Sequence, residues 1–600
     1  MELLQSLYSR LLSLDLASIF WMIIFFGGSI FVHELGHFIA AKRRKLFVPR
    51  FSIGFGPKLF AKNIKGTEFC IALLPLGGYV AIPQLMSVKE LEGQYEIPKD
   101  MPPISCADTV IVAAMGVIFN IIFAFILGTI LWCTGMEQPQ SSMNNIIGYV
   151  SAEITLPSGE KIPSPAREAG LRIGDQIVAI DGCATRNLLD ITHAIALGKN
   201  RDQGGPLSTI TVLRDGQRQN FTVRPILFEQ NPHAKESFRI IGIETFQELC
   251  VAKIYKNTPA QRAGLQEGDK IISVNGEKLF SHSQFNDALE REDDLQLTVE
   301  RGEKTVNISV RRERLFRTRP RLKMATAYGT CEVFPDFFDK NFIRDPYTDS
   351  CTLQLLSLAP EFREPFPEWA IGDRITRIQG RPTRNIAESF SAFQRAIGSF
   401  PAVTVHSREF FLPIEKIELI PAESRYSIGI ELCGSYILVH KNPFQWIKET
   451  AQITFGTLGS LISPSSDIHL KNLSGPPAIL DTLHTFAARD LRLLLWFVMV
   501  LNVNLAIINL LPLPILDGGI IVLALLEKIF RRKVAAKMLM HTQLAFMVLI
   551  LGVIIYVSFF DISKILGRRD AERDYFRQRR LAIDEQSLWN GLGKTTPEQN

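Results

Sequence analysis

The chain has 600 residues, 46% of them apolar and 21% charged, with a net charge of +5. That length is too great for one ordinary core, so several domains are expected. The small net charge and the lack of basic–aromatic interleaving exclude a nucleic-acid-binding face, which leaves the Lys/Arg distribution as information about topology. Apolar residues gather near the two ends, around a mixed, polar, globular middle. Eight cysteines lie scattered without a CxxC, five of them (Cys183, Cys250, Cys331, Cys351, Cys433) in the middle. An odd number there implies mostly reduced thiols, with one or two bridges.

The first long apolar run, residues 16–41, has only Arg10 and Asp15 as charges just before it and contains His33-Glu34-Leu35-Gly36-His37. It reads as a retained membrane helix, because a cleaved leader would discard that motif. Residues 108–134, 491–514 and 540–561 are also long and apolar enough to cross a bilayer. Lys42, Arg43, Arg44 and Lys45, with Arg50, Lys58, Lys62 and Lys65, follow the first span; Lys528, Arg531, Arg532, Lys533 and Lys537 separate the third and fourth. Both loops are expected on the cytoplasmic side, which puts the middle of the chain outside. Lys564, Arg568 and Arg569 after the fourth span conflict with this, since four spans place the tail outside as well.

His33 and His37 are four residues apart on a predicted helix, so both imidazoles face one side, where two Zn–N bonds of about 2.0–2.1 Å to one ion are possible. Glu34 is placed to take a proton from a metal-bound water. Ionisable groups inside a membrane segment are costly and functional by default. A catalytic zinc site needs a third protein ligand. Asn509-Leu510-Leu511-Pro512-Leu513-Pro514-Ile515-Leu516-Asp517-Gly518-Gly519 offers Asp517 at the end of the third span, in a stretch broken by two prolines and two glycines. Such a break is tolerated at membrane depth only where backbone is buried in protein or lines a cavity. First and third spans run the same way, so Asp517 arrives at the depth of the histidines.

The middle contains a repeat. Ala169-Gly170-Leu171, Gly174-Asp175 and Asp181-Gly182 recur as Ala263-Gly264-Leu265, Gly268-Asp269 and Asn275-Gly276, with seven of fourteen positions identical. A third copy, Gly372-Asp373-Arg374-Ile375 to Gly380, lacks the AGL triplet. A Gly-Asp turn, an alternating apolar strand and an Asp/Asn-Gly turn describe a strand-turn-strand unit. These copies resemble PDZ domains of the bacterial protease type, helped by the Val251–Ile254 strand and by Thr258-Pro259-Ala260.

HELGH in the first span with NLLPLPILDG in the third resembles the site-2 protease family. The inserted PDZ pair points to its bacterial sigma-E-regulating branch. Residues 51–58 (FSIGFGPK) and 65–80 (KGTEFCIALLPLGGYV) resemble that family's membrane-associated hairpin. Residues 446–479, with Thr450, Thr454, Leu458 and Leu473-Ser474-Gly475-Pro476, resemble its segment before the third span. Two departures stand out. Met115-Gly116-Val117 replaces a Gly-Pro, and Ile520 follows LDGG where a His is common. Neither is expected to touch a ligand, so only local packing is affected.

The expected fold is a polytopic α-helical membrane protein of about four transmembrane helices with an inserted β-rich tandem PDZ region. Its expected division is 1–45 (first span with HExxH), 46–107 (cytoplasmic-side loop and hairpin), 108–134, 145–230 and 240–315 (two PDZ domains), 319–440 (degenerate third copy), 441–490 (amphipathic linker), 491–520, 538–562 and a polar tail, 563–600. The expected activity is zinc-dependent cleavage of the membrane segments of single-span proteins, in a bacterial inner membrane, after a first trimming cut and in regulated proteolysis such as anti-sigma-factor release. The family resemblance implies that a substrate span is unwound and held extended beside Gly77-Gly78 and the Asn509/Pro512/Pro514 loop, with Asn509 binding substrate backbone. The PDZ pair, turning at Gly174-Asp175 and Gly268-Asp269, either binds peptide C-termini or filters substrates by size. The family favours the filter. A catalytically silent membrane-anchored PDZ scaffold is the alternative; a zinc transporter would need more ionisable residues in the spans.

Overall fold

The computed structural model describes residues 16–85, 104–156, 158–196, 201–202, 205–231, 236–337, 339–340, 343, 345–363, 366–405, 407–463, 470–532 and 536–592. Lys533 of the second basic loop and residues 86–103 and 593–600 lie outside that set.

Among the described residues, four helices are long and apolar enough to cross a membrane: Leu16–Arg43, Cys106–Thr134, Leu491–Asn509 and the first part of Ala536–Leu581. The second span is central, packing on both the first and the third. Its sequence shows why. Ile118, Ile122, Ile126 and Ile130, four residues apart, make an exposed stripe suited to lipid, while Ala113, Gly116, Asn120 and Ala124 form the buried stripe. Small residues let helices approach closely where both competing environments are apolar. A Cβ on Gly36 would meet the Met115 carbonyl, so first and second spans touch backbone to backbone. Polar clamps finish the bundle: fully buried Asn502 donates to Ser29 Oγ at 2.9 Å, and Thr454 Oγ1 donates to Asn504 Oδ1 at 2.6 Å.

Between first and second spans, the strands Arg50–Ile64 and Thr67–Ala81 form a hairpin. Lys65 (φ 51°) and Gly66 (φ 80°) give the two positive-φ corners that a tight two-residue turn needs. Both strands bend, so the order across the sheet is 58–64, 67–72, 50–53, 78–81. Leu59, Phe60, Ile71 and Leu73 are exposed apolar residues on it.

The inserted region is tied at its base by a ribbon in which Met136–Pro139 pairs with Tyr436–Val439. Three units follow, each with its own core and with one helix after its second strand-turn. In the first unit, Ile147–Val150 pairs with Ile243–Thr245, and Ile177, Ile180, Ile210 and Val212 fill the core. The second is a six-stranded sheet in which Leu249–Ile254 pairs with Lys270–Val274 on one side. Its other neighbour is Ile430–Gly434, from beyond the third copy. Glu313–Phe316 likewise pairs with Ser424–Ser427. The third unit, an eight-stranded sheet from Arg321–Thr326 to Ile414–Ile420, is therefore threaded into the second. The matching position in the first unit is the short hairpin Ile226–Asn231/Glu236–Ile240. This changes the expected division at 315 and 319–440: residues 430–434 belong to the second unit's sheet, and 424–427 to the ribbon with Glu313–Phe316. Hydrophobic alternation marks a strand but not its partner, so linear reading cut the unit at the repeat's end.

The Gly-Asp turns have a common chemistry. Asp175, Asp269 and Asp373 each accept from the backbone N–H three residues back, those of Arg172, Gln266 and Ala370. In the first two units an arginine locks the carboxylate: Arg214 to Asp175 and Gly170 O, Arg301 to Asp269 and Gly264 O.

The expected linker 441–490 forms two helices, Pro443–Ile462 and Pro476–Arg489, that pack with the third span. The fourth span and the expected polar tail also differ from expectation. Helix Ala536–Leu581 continues well past the apolar stretch, and Glu585–Leu592 then docks on the inserted region, with Trp589 wholly buried. The tail and the insert thus share one side of the bundle, so the basic residues at the tail's start still run against the charge rule that places the other two basic loops. All eight cysteines are free thiols; the expected bridges are not formed.

Candidate metal centre

Three segments far apart in sequence meet at the buried stripe of the second span. His33 and His37 stand one turn apart, edge to face, with ring centroids 4.7 Å apart. After the third span ends at Asn509, residues 510–516 run as an irregular loop, and Asp517 begins the helix Asp517–Phe530. Asp517 was expected at the end of a span; it stands instead at the start of the next helix. Gly518 and Gly519 make the tight reversal possible, since a Cβ on Gly518 would collide with Leu510 O and one on Gly519 with Leu513 O.

His33, His37 and Asp517 present donor atoms to one point. His33 Nε2 and His37 Nε2 are 3.2 Å apart, and Asp517 Oδ2 lies 3.4 and 3.5 Å from them. Three ligands of a tetrahedral ion at about 2.0–2.1 Å sit roughly 3.3–3.4 Å from one another, so the triangle has the size zinc requires. Asp517 Oδ2 is buried and has no hydrogen-bond partner among the described residues, a costly state that a cation relieves. The donors have the composition of a catalytic zinc site with one position left for water or substrate.

The outer nitrogens of both rings are held. Val112 O accepts from His37 Nδ1–H at 2.8 Å, leaving Nε2 as the electron-pair donor. The amide of Asn120, wholly buried, reaches His33 Nδ1 at 3.1 Å. With its oxygen turned to that nitrogen it accepts Nδ1–H and frees His33 Nε2 in the same way. Gly116 lies flat against the two rings, and a Cβ there would collide with His37 Nε2 and press on His33 Cε1. The Met115-Gly116-Val117 departure was expected to touch no ligand. It lines the centre directly, because the buried stripe of the second span carries both Gly116 and Asn120. An asparagine inside an apolar span is the sequence signal for that role.

Other expected residues gather here too. Asn509 Nδ2 is 3.4 Å from His33 Nε2. Gly78 passes Glu34: a Cβ on it would touch Glu34 Cγ at 3.6 Å and crowd Ser52 O at 2.9 Å. Gly77 is buried beside it. Pro514 lies in the loop before Asp517, its carbonyl accepting from Gln543 at 3.3 Å, and Pro512 is exposed in the same loop. Gly174, Asp175, Gly268 and Asp269 stay in the inserted units and form turns there. Gly116 is ten residues from Cys106 and eighteen from Thr134, so the centre lies roughly 15 Å along the axis from one end and roughly 27 Å from the other.

Comparison with known proteins now decides the family. The model for peptidase family M50 matches residues 21–553, spanning both histidines and Asp517. The chain belongs to peptidase family M50. Similar proteins include one of Chlamydia pneumoniae whose name assigns it to the zinc metalloproteases, 24% identical over 90% of this chain and 98% of the relative. The regulator of sigma-E protease RseP of Escherichia coli is 27% identical over 86% of this chain and 91% of its own length. The regulator of sigma E protease of Haemophilus influenzae is 26% identical over 89% and 96%. The chain is thus a multi-pass membrane metalloprotease of the M50, or site-2 protease, type.

Proposed function

We propose that this M50 protein cleaves the membrane segments of single-span proteins, with zinc held by His33, His37 and Asp517. The observation that carries the reading is the triangle of two imidazole nitrogens and one orphaned carboxylate oxygen inside a membrane bundle. When bound, zinc supplies an acidified water and polarises a carbonyl oxygen. Glu34, in the same helical turn as His33 and beneath Gly78, holds the water's proton and returns it to the leaving amine. Asn120 and Val112 fix the imidazoles. Asn509 stands at the rim, where it can hydrogen-bond substrate backbone.

A helical substrate hides its carbonyls, so it must be opened, and every freed group then needs a partner. Residues 78–81 are terminal in the hairpin sheet, with no strand on their outer edge among the described residues. Strand addition there would hold an extended substrate next to Glu34. The basic loops support a metal centre towards the cytoplasmic side of a bacterial inner membrane, with the inserted units outside. We read the first and second units as PDZ domains, on the repeated Gly-Asp turns with a four-residue helix before and a longer helix after them in each. A cavity of about 750 Å³ between the first unit (Cys183, Leu189, His193) and helix Pro443–Ile462 (Phe455, Gly459, Ser463) supports a filter above the bundle that admits pre-trimmed substrates. Anti-sigma-factor release is the regulatory role we infer, two relatives being named regulator of sigma-E protease.

The test is cleavage of a tagged single-span protein already shortened on its outer side. Wild type yields a shorter product, and Glu34→Gln at equal expression yields none. Equal cutting by both would remove Glu34 from the reaction. Cleavage by neither, across several substrates, would favour a silent membrane-anchored scaffold.

A further inference from the structure

The second unit carries a groove of about 370 Å³ that the metal centre does not use. One wall is Ile430–Gly434, the terminal strand of its sheet; the other is helix His282–Arg291. A terminal strand offers backbone N–H and C=O groups to another extended segment. Phe285, Leu289 and Ile428, all buried, give the groove an apolar floor. His282, first residue of the helix, has a buried Nε2 with no hydrogen-bond partner among the described residues. Such an atom is costly unless a ligand's hydroxyl or amide satisfies it.

The end of the groove is built for an anion. The chain turns through Ser427-Ile428-Gly429 (φ 85° at Gly429) into the wall strand. Arg425 and Ser427 there both hold one carboxylate, that of Glu585 from the tail helix Glu585–Leu592. Arg425 Nη2 lies 2.6 Å from Glu585 Oε2, and Ser427 Oγ donates to Oε1 at 3.1 Å. Glu585 itself lines the groove. The tail is firmly seated: Gln586 makes two hydrogen bonds to the backbone of Lys256, at 2.8 and 3.0 Å. Trp589 packs with Leu315, Phe337, Ile583 and Leu588 at the joint between second and third units. This segment continues directly from the fourth span through helix Ala536–Leu581.

On the PDZ reading this groove takes the free carboxyl end of an extended polypeptide; we propose that Glu585 is a built-in competitor for that end, its side-chain carboxylate seated on Arg425 and Ser427. A chain-terminal carboxylate and a glutamate side chain are the same chemical group, so the two exclude each other at this point. Displacing Glu585 also loosens the tail that joins the fourth span to the insert, which couples ligand binding to the membrane bundle. The proposal rests on reading the second unit as a peptide-binding PDZ fold.

Two measurements on the full chain in detergent micelles test it separately. The first needs no ligand: hydrogen–deuterium exchange of 427–434 and 582–592 in wild type and Glu585→Gln. Faster exchange in both segments of the variant is expected, with exchange in Lys270–Val274 unchanged as the folding control. Unchanged exchange at 427–434 overturns the competitor role. The second is fluorescence anisotropy with labelled short peptides ending in Val, Ile, Leu or Phe, each with a free or an amidated end. Free-acid peptides should bind Glu585→Gln about tenfold more tightly than wild type, and Arg425→Gln should lose binding in either background. Equal affinity for wild type and Glu585→Gln overturns the competition, and equal binding of amidated peptides overturns the carboxylate assignment. No binding to any variant removes the peptide-groove reading itself, whatever the exchange shows.

Discussion

The metal centre and the inserted region solve opposite problems. In the spans, nearly every side chain is apolar, so the polar atoms are few and each has an identifiable duty: His33, His37 and Asp517 face one point, Val112 and Asn120 hold the rings, and Asn502 clamps Ser29. In the insert, polar groups are abundant, and the fold comes from apolar alternation, with Asp–Arg locks at the turns. A polar change in the first region should therefore be costly for chemistry. In the second it should be costly only where a buried charge loses its partner.

The largest expected effect is at Glu34. Glu34→Gln should lower peptide cleavage by roughly 10²–10⁴-fold with zinc content unchanged, read by product formation and metal analysis on the same sample. Gly116→Ala should lose both zinc and activity, because the added methyl occupies the space of the imidazoles; retention of one zinc per chain would refute the contact. Asn120→Leu, which keeps the volume but removes the amide, should weaken zinc affinity or activity about 10–100-fold. An unchanged zinc affinity would demote Asn120 to packing.

The insert supplies the contrast. Arg301→Ala leaves Asp269, almost fully buried, without its charged partner and should cost about 1.5–3 kcal/mol locally, seen as faster hydrogen exchange in Lys270–Val274, with zinc content intact. Burial pushes the Asp269 carboxyl up, but hydrogen bonds from Arg301 and from Gln266 N–H hold it below the ordinary carboxylate value. A lowered folded value stabilises above the unfolded one, near about 3.9, and that stabilisation is lost as pH falls through the folded value. Exchange protection in this unit should thus be flat at neutral pH and fall only under acid, and Arg301→Ala should flatten that acid dependence.

The smallest effect tests the border between the regions. Asp561, buried in the fourth span, accepts from Gly475 N–H at 2.7 Å and Ala478 N–H at 3.3 Å, capping helix Pro476–Arg489. Asp561→Ala should cost about 1 kcal/mol, measured as a lower thermal midpoint in detergent without loss of zinc.

The sequence by itself determined the spans and their order, the two histidines with Glu34, and Asp517 as a lone carboxylate beside a helix break. Helix periodicity and the cost of polar groups in lipid make those features local and legible. It also determined the repeated turns, since Gly-Asp chemistry is confined to a few adjacent residues. Tertiary structure alone decided what depends on distant partners. Gly116 and Asn120 join the centre because of which stripe of the second span faces the first. The second unit takes its last strand from residues 430–434, on the far side of a whole inserted unit, because register and partner choice are properties of the sheet. The tail's place on Arg425 follows from the same threading, which brings Ser424–Ser427 beside the unit it completes.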